Sequence, residues 1–395
     1  MKGAAPDPAR VSITPPARGS SKGQPRGPGL ARQSLRCAAA GRDSTPEPPR
    51  RILPGPVSAA DFDFDAAFRR RPVILAPMED VTDAPFRRVC RARGADLCVT
   101  EFVNVEGLLR GVRDAIRKIQ LAVDDQPTAI QIYGADADRL AEAAEVAAGA
   151  GPVYLDVNCG CWVPKIARRG AGAGWLREPA AMVEMAQMVV RRVAPMPVTV
   201  KTRIGWGAES EMPIVELARR LEDVGVRALT IHCRTAQMGH TGAADWTWAA
   251  RAREKVSIPV VVNGDVRSAE DARVAIESTG CEGAMVGRYA IEHPWIFREA
   301  RALLDRGEVL APPTPKERLA LCREHLLLTV EERGELRAVR SMRRYWPGYL
   351  KGLHGGSGLR RDLNTTDSLP DTLARFDALE RELASAPEPR RIAAA

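Results

Sequence analysis

The chain has no run of the roughly 18 apolar residues that a membrane-spanning helix requires, and no compact apolar stretch of a secretory signal near its start. No membrane association is expected. Cysteines are few and scattered. Of the eight, Cys37, Cys90, Cys98, Cys159, Cys161, Cys233, Cys281 and Cys322, only Cys159 and Cys161 lie close together. With no second pair there is no four-ligand metal site in the pattern, so no metal is expected, and a reduced cytoplasmic setting fits best. No GxGxxG follows the first apolar run, which argues against a dinucleotide loop of the doubly wound type.

Acidic residues are scarce in one place. Residues 1–51 hold ten Lys/Arg against three Asp/Glu, leaving 48 of the 58 basic and 47 of the 50 acidic residues for everything after Arg51. The net charge of +8 therefore belongs almost wholly to this stretch and says little about the folded body. Nine prolines within 1–51 and almost no amphipathic pattern mark residues 1–57 as a disordered, basic, proline-rich tail. An overlong start and a nonspecific RNA-binding arm both have this composition.

The remainder has substance for a large core, with a hydrophobic content of 45% over 395 residues. From Arg71 onward, short apolar runs alternate with amphipathic stretches, the pattern of repeated βα units around a parallel sheet. Eight runs are read as strands: Val73 to Ala76, Asp96 to Val103, Thr128 to Tyr133, Val153 to Val157, Pro197 to Lys201, Ala228 to His232, Ile258 to Asn263, and Glu282 to Gly287. Helices are expected over Ala180 to Arg192 and Glu211 to Val224 among others. Eight such units predict an α/β fold, a TIM (β/α)8 barrel spanning 71–308. Pro312, Pro313 and Pro315 then mark a linker, and 316–385 reads as a helical domain.

Active sites of such barrels lie at the C-terminal ends of the strands, and nearly every strand here ends in a polar group. The ends are Pro77-Met78-Glu79, Glu101, Gln131, Asn158-Cys159-Gly160-Cys161, Lys201-Thr202-Arg203, His232-Cys233-Arg234, Asn263-Gly264-Asp265, and Gly287-Arg288. Singly, each is as well explained by a structural salt bridge. Together they converge on one mouth, as a cofactor site would. Asn263-Gly264-Asp265 and Gly287-Arg288 follow strands seven and eight, where barrels commonly bind phosphate. Lys201 would face the barrel centre, where a fixed cation stabilises an anionic reduced flavin, and Gln131 would hydrogen-bond the ring edge. A phosphate site joined to a buried cation points to FMN. The stretch Gly170 to Gly174 lies outside any strand-to-helix turn and is not read as a nucleotide loop. For Cys161, nucleophile, metal ligand, proton donor and inert filler all remain open.

Taken in order, these blocks resemble the tRNA-dihydrouridine synthases of bacterial type, from about Val73 to Phe297. The matching blocks are Ala76-Pro77-Met78 with Thr82-Asp83 and Phe86-Arg87, Asp156 to Cys161, Arg169 to Ala173, Val200 to Arg203, His232 to Thr235 with Ala244-Asp245-Trp246, Asn263 to Asp265, and Gly287-Arg288 with Pro294-Trp295. The resemblance implies FMN held by Pro77, Met78, Glu79, Gln131, Lys201, His232, Asn263, Gly264, Asp265, Gly287 and Arg288, with Asn158 and Arg203 on the uracil nucleotide. It implies that NADPH or NADH reduces the flavin, that hydride passes from flavin N5 to uracil C6, and that Cys161 protonates C5. Two departures stand out. Trp162 follows the thiol where the family usually has proline, and Gly239-His240 replaces a usual aromatic.

RNA must be gripped if a base is to be turned out into a barrel mouth. Between Arg337 and Arg361 the chain has seven Lys/Arg and no Asp/Glu, interleaved with Tyr345, Trp346 and Tyr349. Arg340, Arg343, Arg344, Lys351, Arg360 and Arg361 are assigned to tRNA phosphates, and the aromatics to base or ribose stacking. Packing of the aromatics between helices is the alternative. Lys165, Arg168 and Arg169, beside Cys161 in sequence, are also assigned to RNA. A monomer is expected. The rival readings are an FMN-dependent small-molecule oxidoreductase of the dihydroorotate dehydrogenase type and an RNA-binding module on an inactive barrel.

Overall fold

The computed structural model describes residues 61–207 and 212–385; the tail 1–57 and the expected helix start at Glu211 lie outside them. Nine strands are numbered in chain order: β1 (Val73–Leu75), β2 (Leu97–Val99), β3 (Val103–Asn104), β4 (Thr128–Tyr133), β5 (Leu155–Cys159), β6 (Val198–Arg203), β7 (Ala228–His232), β8 (Val260–Asn263) and β9 (Gly283–Val286). All pairings are parallel, and β1 pairs with both β2 and β9, which closes the sheet into a barrel. β2 and β3 both pair with β4, so they are two segments of one barrel strand. The single run expected over Asp96 to Val103 is thus broken after Val99, where the Thr100 hydroxyl accepts from the Gln131 N–H (3.1 Å) in place of a backbone partner. Eight staves remain.

Nearly every strand residue is buried, as a parallel sheet covered by helices demands. The helix Pro179–Val193 opens with proline in its first turn and buries Met182, Val183, Met185, Ala186 and Val189, a 3.6-residue stripe against the barrel. Ile214–Asp223 is shorter than the 211–224 expectation, because Pro213 sits at its N-cap.

Beyond 308 the chain is helical. Pro315–Arg333 begins with a full capping box between Thr314 and Glu317, which satisfies two otherwise unpaired backbone donors. This helical region shares one hydrophobic core with the barrel. Phe86 stacks on His325 and Tyr345, and the Tyr345 hydroxyl donates to the Val81 carbonyl (3.0 Å). Charges follow the same seam: Glu332 pairs with Arg117 (3.1 Å), Arg117 with Glu101 (3.9 Å), and Lys118 with Glu101 (3.8 Å) and Glu79 (2.6 Å). Arg333 pairs with the buried Asp83 (2.7 Å). None of the helices in the described residues is long and apolar enough to cross a membrane.

Candidate active site

A cleft of about 390 Å³ opens at the C-terminal ends of the strands. Its lining includes Pro77, Met78, Glu79, Asn158, Cys161, Lys201, Arg203, His232, Asn263, Gly264, Asp265, Gly287 and Arg288. All thirteen residues expected at the cofactor, catalytic or substrate positions other than Gln131 thus line one cleft. Gln131 departs from the expectation. It is fully buried and absent from the lining, and its amide is committed to Asp156 and Asn158.

Lys201 projects from β6 into this floor. Its Nζ meets the Asn263 Oδ1 at 3.2 Å and has no carboxylate within salt-bridge range among the described residues. Burial, reinforced by Arg203, lowers its pKa to about 8. Asn263 is in turn locked, because its Nδ2 donates to the Met285 carbonyl across the β8–β9 pair (2.8 Å). A buried ammonium left without a counter-ion is costly, so the site is built to receive an anionic or electron-rich group.

The glycine loops match that demand. Gly264 has φ +113°, and a Cβ there would lie 2.9 Å from Ala244 and 3.0 Å from the His232 ring. Gly287 has nothing nearer than Ala76 at 3.9 Å, so its backbone faces open cleft. Arg288 is exposed and makes no ion pair among the described residues. Asp265 is not free for a ligand. Burial works against its ionisation, but Arg234 (2.7 and 2.8 Å), the Ala244 N–H (2.8 Å) and Arg267 (2.9 Å) outweigh it and hold its carboxyl below the ordinary value. Arg234, named at its strand end but given no role in the sequence reading, is fully buried here. Its Nη1 also approaches the His232 Nε2 (3.4 Å). Burial and the cations Arg203, Lys201 and Arg234 push the His232 pKa far down, so its imidazole is neutral.

Cys161 sits on the loop after β5. Its thiol pKa is raised, first by burial and against the pull of the Val163 N–H and Arg203, so the sulfur is protonated at neutral pH. That is the state a proton donor needs. The cations whose fields reach it are Arg203 and Lys201; Lys165, Arg168 and Arg169 are exposed. Arg203, expected on the substrate nucleotide, lines the cleft but also ties loops together: it donates to the carbonyls of Gly160 (2.8 Å), Thr235 (2.9 Å) and Gly239 (2.9 Å). The glycine stretch set aside as a nucleotide loop has a different duty. Gly172 and Ala173 lie against Cys161, and the Ala173 N–H donates to the Cys161 carbonyl (2.9 Å).

The two departures from the family pattern touch each other. Trp162 stands edge-on to His240 (5.5 Å between centroids, 85°), and its ring lies on Gly239, where a Cβ would be only 3.3 Å away. A side chain at 239 and an indole at 162 compete for one space.

In the helical region, Tyr345, Trp346 and Tyr349 are at most 3% exposed, so they are core and cannot stack on RNA. This corrects the base-stacking expectation. The acid-free stretch is also partly neutralised from outside itself: Arg340 and Arg343 pair with Asp367 and Lys351 approaches Glu292 (3.8 Å), while Arg344 is tied to the Asp80 carbonyl. Arg360 and Arg361 are exposed.

A closed parallel barrel whose mouth gathers an uncompensated ammonium, bare glycine backbone and a protonated thiol defines an α/β-barrel enzyme that handles an anionic group and a proton. A family model described as dihydrouridine synthase (Dus) matches residues 74–384, and the chain belongs to that family of oxidoreductases. Curated relatives agree. The tRNA-dihydrouridine synthase B of Pseudomonas aeruginosa is 39% identical over 293 residues, covering 74% of this chain and 87% of the relative. The probable tRNA-dihydrouridine synthase 1 of Synechocystis is 35% identical over 300 residues, covering 76% and 83%. A probable tRNA-dihydrouridine synthase of Mycobacterium tuberculosis is 34% identical over 346 residues, covering 84% and 86%.

Proposed function

We propose that this chain reduces a uridine in the D-loop of tRNA to 5,6-dihydrouridine, as an FMN-dependent, cytoplasmic, monomeric enzyme that uses no metal. The observation that carries the reading is the buried, counter-ion-free Lys201 facing the same cleft as the protonated Cys161.

The donor set fits FMN. Gly287 and Arg288 offer open backbone and a guanidinium to a phosphate, with Gly264 beside them. Lys201 offers a cation to the ring, and Pro77, Met78, Glu79, His232, Asn263 and Asp265 complete the walls. When bound and reduced by NADPH or NADH, the flavin supplies the hydride that C6 of the uracil takes up. Cys161 then gives its thiol proton to C5, so one hydride and one proton saturate the double bond. Burial keeps that proton on the sulfur until the base is in place. Asn158 and Arg203 stand on the lining beside the thiol, where they meet the base or its ribose. A uracil reaches this depth only when turned out of its stack. The exposed Lys165, Arg168, Arg169, Arg360 and Arg361 are the groups best placed to hold the flanking phosphates.

The test is direct. Purified protein is expected to carry a yellow flavin spectrum, and tRNA from a deletion strain to lose dihydrouridine at a defined position. Cys161→Ala is expected to keep the flavin and its reduction by NADPH while losing product. Turnover of free uracil or dihydroorotate at rates matching tRNA would instead support a small-molecule oxidoreductase, and rescue of the deletion by Cys161→Ala an RNA-binding role.

A further inference from the structure

The Cys161 loop is held from below by a chain of side-chain hydrogen bonds that runs into the barrel interior. The Asn158 Oδ1 accepts from the backbone N–H groups of Gly160 (3.0 Å) and Cys161 (2.9 Å). With its oxygen turned to the loop, the Asn158 amide must point its nitrogen the other way, and Nδ2 donates to the Gln131 Oε1 (2.8 Å). Gln131 is thereby oriented in turn. Its Nε2 donates to the Asp156 Oδ2 (2.5 Å), while the Asp156 Oδ1 accepts from the Thr199 hydroxyl (2.5 Å). All four side chains are at most 6% exposed.

The direction of this chain is forced at both ends. Backbone N–H groups can only donate, and Asp156, whose pKa burial raises to about 6 against the pull of Gln131, Thr199 and Lys201, is ionised above that pH and then can only accept. Between those ends each amide has one orientation that leaves no clash of like groups. Turn one amide over, and its neighbour faces donor against donor or acceptor against acceptor, a costly state in a dry interior.

We infer that Asp156, acting through Gln131 and Asn158, is a positioning residue that sets the Cys161 loop for proton transfer. The inference rests on the proposed role of Cys161. It also gives Gln131 a duty beside the flavin contact expected of it. Removing the acceptor at Asp156 leaves only the loop end to set the order, so Gln131 can turn over and Asn158 is held less firmly against the two loop N–H groups. Misplacement of a reacting group by about 1 Å costs on the order of 100-fold in rate.

Three variants read the chain. Asp156→Asn keeps an oxygen for Gln131 and places its NH2 on the Thr199 oxygen, and is expected to stay within about threefold of wild type. Asp156→Ala is expected to lose roughly 10- to 100-fold in kcat with little change in KM for tRNA. Gln131→Glu is the diagnostic case. The introduced carboxyl can donate to Asp156 only when protonated, and two facing carboxyls share a proton with a raised pKa. That variant is expected to work at low pH and to lose activity as pH rises through the range of the shared carboxyl pair, a limb lying below the loss that Lys201 gives wild type above about pH 8. Alkylation of Cys161 by iodoacetamide, followed by peptide mass mapping, reports loop placement without any substrate and is expected to change at least about fivefold in Asp156→Ala. If wild type shows no activity on tRNA but alkylation responds, the functional reading fails and the positioning inference stands. If Asp156→Ala melts like wild type and matches it in alkylation and kcat, or if Gln131→Glu shows no new pH limb, the inference is overturned. Should Asp156→Ala not fold, the pH profile of Gln131→Glu beside Asp156→Asn decides alone.

Discussion

Gly172 has no side chain because Cys161 is there. A Cβ at position 172 would lie 2.7 Å from the Cys161 carbonyl oxygen and 3.0 Å from its Cβ, and Gly172 has φ +58°. The left-handed backbone alone costs a larger residue roughly 1–2 kcal/mol. Gly172→Ala is therefore expected to push the thiol loop outward, lowering kcat by at least about tenfold while flavin content stays normal. Stopped-flow traces would place the loss in the step with tRNA and leave NADPH-driven flavin reduction unaffected.

A second expectation concerns Lys201. Its pKa of about 8 lies below the ordinary lysine value, so the cation is present below pH 8 and is lost as pH rises through it. An anion bound beside it favours the charged form. FMN affinity is expected to be flat at pH 6.5 to 7.5 and to fall by about tenfold per unit above 8, one proton being linked to binding. Fluorescence titration of the apoprotein measures this, and Lys201→Met is expected to bind weakly with no such slope.

The exposed cations make a third case. Each phosphate contact contributes roughly 0.7–0.9 to the slope of log affinity against log salt. Replacing Lys165, Arg168 and Arg169 together by alanine is expected to lower the slope for tRNA by about 2, read by filter binding at several salt concentrations. Arg340→Ala is expected to change it less, because Asp367 already holds that guanidinium.

Trp346→Ala tests the correction made to the aromatic cluster. Trp346 is fully buried with its ring edge-on to Phe376 (5.6 Å, 75°). Truncation is expected to cost about 3–5 kcal/mol in denaturant melts. A loss of tRNA affinity with unchanged stability would restore the stacking role.

How much could be read beforehand differs from residue to residue. Thr128–Tyr133 and Ala228–His232 were legible to the residue, since each is a short, mainly apolar run with Thr and Ile in it, too short for a helix. The break after Val99 was not, because Thr100 substitutes a side-chain bond that leaves no mark on hydropathy. Strand ends located the cleft because a barrel sends all of them to one face. What they hide is sideways: whether Gln131 looks into the cleft or along the floor depends on Asp156 from the next strand. The Arg337 to Arg361 stretch was misjudged for a related reason. Its charge balance was counted along the chain, whereas Asp367 and Glu292 reach it through space.

The seam of Glu332, Arg117, Glu101 and Lys118 ends on Glu79, a residue of the cleft wall. This leaves no clean place to graft. A hybrid that joined this barrel to a relative's helices would strand half-buried charges on one side and expose Phe86 on the other. On the proposed function, the choice of uridine is inherited together with the rim, and retargeting the enzyme means redesigning both sides of the seam at once.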